Sequence, residues 1–131
     1  MSQHSILIVD DEEETIDLIR AAFRRSGCAV LGAVTGRDGL RLAREQRPAL
    51  VLIDLMMPEL DGFELCRLLR DDPATAHIPR VIFTARESLA DQEEALAVGA
   101  DRYLVKPIGM KTLVGVVEDL IAQRRTGDEP A

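Results

Sequence analysis

Two runs of four unbroken apolar residues, Ile6-Leu7-Ile8-Val9 and Leu50-Val51-Leu52-Ile53, constrain this chain more than any other feature. Runs this short, with no polar alternation, read as strands buried on both faces, the mark of a parallel sheet covered by helices. The second run is bounded by Pro48 and by a Pro58 to Gly62 loop, and each run ends on a carboxylate, Asp10 or Asp54. In open α/β sheets the carboxyl edge of the strands is where ligands bind. A charged residue at the end of a buried strand can instead simply begin a turn, so the rest of the chain has to decide its meaning.

Helix-periodic segments separate the strands throughout. After Asp10-Asp11 and Glu12-Glu13-Glu14, a first helix carries Ile16, Ile19, Ala22 and Phe23 on one face and stops at Gly27. Acids at a helix N-terminus are favoured by the macrodipole at ~0.3–1 kcal/mol each, which accounts for Glu12 to Glu14 but poorly for Asp10 at the strand end. Ala29 to Val34 reads as the next strand. Thr35 with Asp38 resembles a capping box opening a second helix, with Leu40 and Ala43 inward. Gly32, Gly36 and Gly39 miss the dinucleotide fingerprint spacing and read as turn and cap residues, and no Walker loop is present. A third helix over about Phe63 to Arg70 turns Phe63, Cys66 and Leu69 inward. Strand Arg80 to Thr84 ends on a hydroxyl, and Ser88 with Asp91 suggests a cap for a fourth helix running to Val98 before Gly99. A last strand, Arg102 to Val105, ends at Lys106-Pro107, and a last helix, Met110 to Arg124, carries Leu113, Val117, Leu120 and Ile121.

The pattern is a strict (βα)5 alternation. It predicts a doubly wound α/β fold with a five-stranded parallel sheet, flavodoxin-like in order 2-1-3-4-5. At 131 residues the chain is one domain, expected over 1–125 with a polar, frayed tail over 126–131. A net charge of -7 and 3% aromatics argue against direct nucleic-acid binding, which wants a basic stripe and stacking rings. Cys28 and Cys66 fit no metal spacing and are expected to be buried free thiols. His4 and His77 are expected to be solvated. Neither a signal peptide nor a run of ~20 apolar residues is visible, which points to a cytoplasmic protein with no membrane partner.

The predicted strand order brings Asp10, Asp11, Asp54, Thr84 and Lys106 to one edge, with the crevice between strands 1 and 3. At ~5 Å and an effective dielectric of ~20, each like-charge carboxylate pair costs about 3 kcal/mol. One lysine is too little for three carboxylates. A hard divalent cation fits the remainder, and an all-oxygen, nitrogen-free donor set favours Mg²⁺. A carboxylate beside a lysine, a hydroxyl and a metal suggests phosphoryl chemistry, with Asp54 as nucleophile forming an acyl phosphate. A buried salt bridge between Lys106 and the acids is the plainer alternative.

With those residues assembled, the sequence resembles the receiver domain of bacterial two-component response regulators, the family that includes the chemotaxis regulator. The likeness covers about Ser5 to Arg124. It rests on Val9-Asp10-Asp11-Glu12, on Ile53-Asp54-Leu55-Met56-Met57-Pro58-Glu59-Leu60-Asp61-Gly62, on Phe83-Thr84-Ala85-Arg86, on Gly99-Ala100-Asp101-Arg102-Tyr103 and on Val105-Lys106-Pro107. Five short motifs in order are highly specific, and no core position departs from the pattern. The resemblance implies that Asp54 is the phosphoacceptor and that Asp10, Asp11, Asp54 and the backbone carbonyl of Met56 hold Mg²⁺. It implies that Thr84 and Lys106 bind the phosphoryl group, that the Lys106-Pro107 bond is cis, and that Tyr103 is a switch aromatic swinging inward as Thr84 moves. Met56 and Arg86 occupy positions that vary in the family and tune how long the phosphoryl group survives. The implied partners are a histidine kinase or phosphotransfer protein and an unknown output domain or protein. The implied assembly is a monomer or a phosphorylation-dependent dimer. Such a domain catalyses only its own phosphorylation and dephosphorylation and is not a turnover enzyme.

Three rivals bear weighing. An aspartate-nucleophile phosphatase usually carries a second Asp two residues after the first, where this chain has Met56. A phosphorylation-independent interaction domain would have no use for the intact pocket. An FMN binder would find its phosphate repelled by the acids at 10–14. Met1 fits a native N-terminus, and the sequence accommodates either a stand-alone regulator or a receiver cut from a longer protein with an output domain.

Overall fold

In a computed structural model, residues 4–128 are described, with side chains through Arg124. The expected alternation is present: β1 (Ser5–Val9), α1 (Glu13–Ala22), β2 (Ala29–Ala33), α2 (Gly36–Gln46), β3 (Leu50–Ile53), α3 (Gly62–Asp71), β4 (Arg80–Thr84), α4 (Leu89–Ala97), β5 (Arg102–Val105) and α5 (Met110–Asp128). The strands form one parallel sheet in the order β2-β1-β3-β4-β5. This is the doubly wound order, in which the direction of winding reverses between β1 and β3.

The period-2 alternation of the strands divides the core into two layers. Ile6, Ile8, Leu50, Leu52, Val81, Phe83 and Leu104 pack against α1 and α5 through Ile16, Ile19, Phe23, Leu113, Val117 and Ile121. Leu7, Val9, Val51, Ile53 and Ile82 pack against α2, α3 and α4 through Ala43, Leu65, Cys66, Leu69 and Ala95. Because each strand is covered on both sides, β1 and β3 need no polar positions. Their carboxylates can only appear where the strands run out.

Local signals set the helix starts. Thr35, Asp61 and Ser88 each accept a hydrogen bond from the backbone N–H three residues on, at Asp38, Glu64 and Asp91. α1 lacks a side-chain cap and has Glu13 and Glu14 in its first turn instead. It ends at Ala22 and passes through a short 3-10 turn to Gly27, which is left-handed at φ 71°.

Some expectations are corrected. α5 continues to Asp128, through Gly127 and four residues beyond its expected end at Arg124. The expected frayed tail is therefore helical over 126–128, and 129–131 lie outside the described residues. His77 is exposed as expected, but His4 is half-buried. Both cysteines are free. Cys66 is buried, which pushes its thiol up to about 12, whereas Cys28 is only half-buried. Leu65, absent from the predicted inner face of α3, is fully buried, while Phe63 is half-buried. Among the described residues no helix is long and apolar enough to cross a membrane.

Gly62 connects the fold to the strand-end acids. A Cβ there would lie 2.5 Å from the carbonyl oxygen of Asp54 and 2.7 Å from Cα of Leu55, both backbone atoms that cannot rotate away. The Gly62 N–H also donates to the Leu55 carbonyl at 3.2 Å. The start of α3 is thus folded back onto the segment that follows Asp54. Gly62→Ala is expected to cost about 1–3 kcal/mol, the usual range for forcing a methyl group into filled space, read as a lower denaturant midpoint at unchanged m-value. An unchanged midpoint would contradict this packing.

Candidate functional site

The parallel ladder continues one residue past the strand ends. The Asp10 N–H donates to the Ala33 carbonyl and the Asp54 N–H to the Val9 carbonyl, each at 3.0 Å, and the Lys106 N–H donates to the Thr84 carbonyl at 2.8 Å. Val9 pairs with Ile53, so Asp10 and Asp54 stand side by side at the switch point of the sheet. Both share the strand face of Ile8 and Leu52, toward α1 and α5. Lys106 lies on the same face, two residues beyond Leu104.

The two buried acids are held alike. Asp10 accepts the Glu12 N–H on Oδ1 at 2.9 Å and Lys106 Nζ on Oδ2 at 2.8 Å. Asp54 accepts the Met56 N–H on Oδ1 at 3.1 Å and Lys106 Nζ on Oδ2 at 3.3 Å. One ammonium therefore bridges both, lying 5.2 Å from the centroid of the Phe83 ring. Asp11 is exposed, and among the described residues no hydrogen bond or ion pair ties it down. A carboxylate oxygen from each of Asp10, Asp11 and Asp54 lies within 4.8 Å of the other two.

Electrostatics follow from this placement. Asp10 is 1% exposed, and loss of hydration pushes its carboxyl above the usual carboxylate range despite the bonds from Lys106 and Glu12 and with a small upward push from Asp54. For Lys106, burial favours the neutral amine, but pairing with Asp10 and Asp54 outweighs it and holds the ammonium above its ordinary value. Three carboxylates and one lysine leave a formal charge of -2. The donor set is entirely hard oxygen, so the residues present fit a divalent cation of the Mg²⁺ kind.

The other predicted site residues lie around this cluster. Thr84 is fully buried at the end of β4, and its Oγ1 accepts the Arg86 N–H at 3.4 Å. Met56 is exposed, with its N–H on Asp54. Tyr103 is half-buried, and its hydroxyl donates to the Arg86 carbonyl at 2.7 Å. The Lys106–Pro107 peptide bond is cis. Two contributors escaped sequence reasoning. Phe83 beneath Lys106 follows from strand alternation once the partner strand is known. The 2.8 Å ion pair between Arg86 and Asp91 joins a loop to the first turn of α4 at a spacing that no helix rule flags.

This fold and this strand-end cluster define a receiver. Residues 6–118 match the family described as the response regulator receiver domain, and the chain belongs to that family. It is 39% identical over 124 residues to the response regulator PleD of Caulobacter vibrioides, covering 95% of this chain and 27% of that protein. It is 38% identical over 117 residues to the protein PilH of Pseudomonas aeruginosa, covering 89% of this chain and 97% of that one. Among solved structures it superposes on a CheY-like receiver domain protein from Methanospirillum hungatei with a TM-score of 0.90 at 25% identity, covering 96% and 99% of the two chains. It also superposes on the receiver domain of the sensor histidine kinase PA1611 from Pseudomonas aeruginosa, with a TM-score of 0.84 at 29% identity and coverage of 92% and 99%. That structure has a magnesium ion coordinated in the active site cleft. The chain spans 27% of PleD and about half of other relatives, 47% of AfsQ1 from Streptomyces coelicolor and 51% of RpaA from Synechocystis. As a receiver domain the chain is a signalling module of two-component systems.

The cluster predicts a stability cost. The folded carboxyl of Asp10 is raised above its unfolded value of ~3.9, so the stability it contributes is complete below that value and is lost as pH rises through the folded one. At neutral pH the charged form is a liability, and Lys106 would keep Asp54 as partner if Asp10 were neutral. Asp10→Asn is therefore expected to raise stability at pH 7 in metal-free buffer by about 0.5–2 kcal/mol. The gain should shrink as pH falls toward 4, when followed by thermal denaturation. A lower midpoint at pH 7 would contradict the charge argument.

Proposed function

We propose that the chain is the phosphoacceptor of a two-component phosphorelay, with Asp54 as the residue that carries the phosphoryl group. The observation that carries this reading is the position of Asp54: a buried carboxylate at the switch point, with one oxygen on the Met56 N–H and the other on Lys106. A histidine kinase or phosphotransfer protein donates the group. An Asp54 oxygen attacks phosphorus, the bond from phosphorus to the donor's imidazole nitrogen breaks, and the nitrogen keeps the electron pair. The product is an acyl phosphate, which water later hydrolyses at phosphorus.

Asp10, Asp11, Asp54 and the Met56 carbonyl hold Mg²⁺ in this reading. When bound, the ion supplies charge stabilisation for the phosphoryl oxygens. Lys106 releases Asp54 Oδ2 and turns to a phosphoryl oxygen as a point charge, and the Thr84 hydroxyl donates to another. Phosphorylation adds about -1.5 to -2 of charge at the strand edge. Drawing in Thr84, with Tyr103 following, biases a two-state equilibrium of the face built from α4, β5 and α5. Leu89 and Leu96, both well exposed on α4, give that face apolar area for a partner. The receiver spans residues 1–125, works in the cytoplasm as a monomer or a phosphorylation-dependent dimer, and acts through an output domain or protein. It modifies only itself, and residue 56 offers no acid for phosphatase turnover.

Incubation with Mg²⁺ and acetyl phosphate, followed by intact-mass measurement, tests this. Wild type is expected to gain one phosphoryl group and Asp54→Asn none. Equal gain by both would remove Asp54 from the reaction, and no gain by the wild type with either a small-molecule or a phosphohistidine donor would overturn the proposal.

A further inference from the structure

The loop between β4 and α4 carries an arrangement that the motifs do not account for. Residues 85–90 are all exposed, so the loop has no buried side chain of its own to fix it. Gln92 Nε2 donates to the Glu87 carbonyl and the Asp91 N–H to Ser88 Oγ, both at 3.4 Å, but the loop's ties to three different elements converge on Arg86. The Arg86 N–H points to Thr84 Oγ1 at 3.4 Å, the Arg86 carbonyl accepts the Tyr103 hydroxyl at 2.7 Å, and Arg86 Nε lies 2.8 Å from Asp91 Oδ2. Arg86 is thus tied at once to the end of β4, to β5 and to α4.

Asp91 is an unusual partner. Acids in the first turn of a helix are favoured by the macrodipole while fully solvated, so nothing in helix capping requires Asp91 to be buried. Yet it is only 8% exposed. Ser88 Oγ already accepts the Asp91 N–H, so the carboxylate is not needed as a cap. Among the described residues its Oδ2 is the buried side-chain oxygen without an aligned hydrogen bond, and its close neighbour is the Arg86 guanidinium. A buried carboxylate left without its cation is costly, so Asp91 holds Arg86 and the loop in place. Asp91 also bears on Tyr103: burial first, and then the negative charge of Asp91, push the Tyr103 hydroxyl above its ordinary value.

The geometry points to Asp91 as a positioning residue for the phosphoryl site, acting through its ion pair with Arg86 on the loop that orients Thr84. A hydroxyl has one hydrogen to donate and two lone pairs. With the Arg86 N–H on the acceptor side of Thr84 Oγ1, the Thr84 O–H remains available to donate into the pocket. Release of Arg86 frees the loop, and that orientation must then be found anew in each encounter with a donor. This inference rests on the proposed phosphoryl chemistry at Asp54 and names a residue outside the receiver motifs that sets its rate.

The test compares wild type, Asp91→Asn, Arg86→Met and the charge-exchanged double variant Arg86→Asp with Asp91→Arg. Phosphoryl gain is followed by intact mass across a range of acetyl phosphate concentrations with Mg²⁺, and thermal midpoints are recorded alongside. Each single variant is expected to lower the saturating rate about fivefold or more, the low end of couplings between sites, without moving the half-saturating donor concentration. The exchanged pair should recover most of the loss, and Arg86→Lys, which keeps the cation, should retain most of the rate even if the exchanged pair fails to fold. Single variants that react at the wild-type rate, or a rate loss that only tracks the thermal midpoint, would overturn the inference. Failure of the wild type itself to gain phosphate would instead overturn the function proposed for Asp54.

Discussion

A single ammonium stands between two buried carboxylates. Lys106 Nζ is 2.8 Å from Asp10 and 3.3 Å from Asp54, and it balances only part of a cluster that also includes Asp11. The charges do not meet because they attract. They meet because the ladder continues past the strand ends, with backbone hydrogen bonds at Asp10 and Asp54 that fix both residues before any side chain is considered. The sheet, whose strands are buried on both faces, supplies the energy that overrides their repulsion. What results is a pocket whose stable folded form is short of positive charge, and that shortage is its chemical capacity.

The cluster is also polarised in space. Asp10, Asp54 and Lys106 share the face toward α1 and α5, whereas Thr84, two residues beyond Ile82, belongs to the face toward α2, α3 and α4. A new anion on Asp54 would therefore be approached by Lys106 from one side of the sheet and by Thr84 from the other. Lys106 can reorient without moving the backbone. Thr84 cannot be drawn far without its loop, and that loop is joined through Arg86 to Tyr103 and to α4. That loop joins the strand edge to the α4 side of the molecule, where Leu89 and Leu96 are exposed. The proposed switch would work by bias between packings that already exist, since a ligand shifts an equilibrium only by its differential affinity for the two states.

Much of this was legible in the sequence, for identifiable reasons. The strands could be read because each is a short run with no polar interruption, and the order because right-handed crossovers leave few arrangements of five parallel strands. Asp10, Asp54 and Lys106 could be placed together because each lies one residue past a strand, where backbone register alone decides position. Caps at Thr35 and Ser88 follow from local spacing. What escaped depends on tertiary contact. The burial of Asp91 and its pairing with Arg86 depend on how α4 leans on its loop, and no periodicity encodes that. The run of α5 to Asp128 escaped because a helix can outlast its apolar face. The half-burial of His4 likewise comes from neighbours distant in sequence.

Direct titration with Mg²⁺ by calorimetry, in wild type and in Asp11→Asn, tests most squarely whether the cluster is a cation site. Asp11 is exposed and pairs with none of the described residues, so its substitution removes charge without disturbing the packing. One Mg²⁺ is expected to bind per chain in the wild type, with an affinity at least about tenfold weaker, ~1.4 kcal/mol, in the variant. Binding that is undiminished by Asp11→Asn, or a wild type that takes up no Mg²⁺, would contradict it.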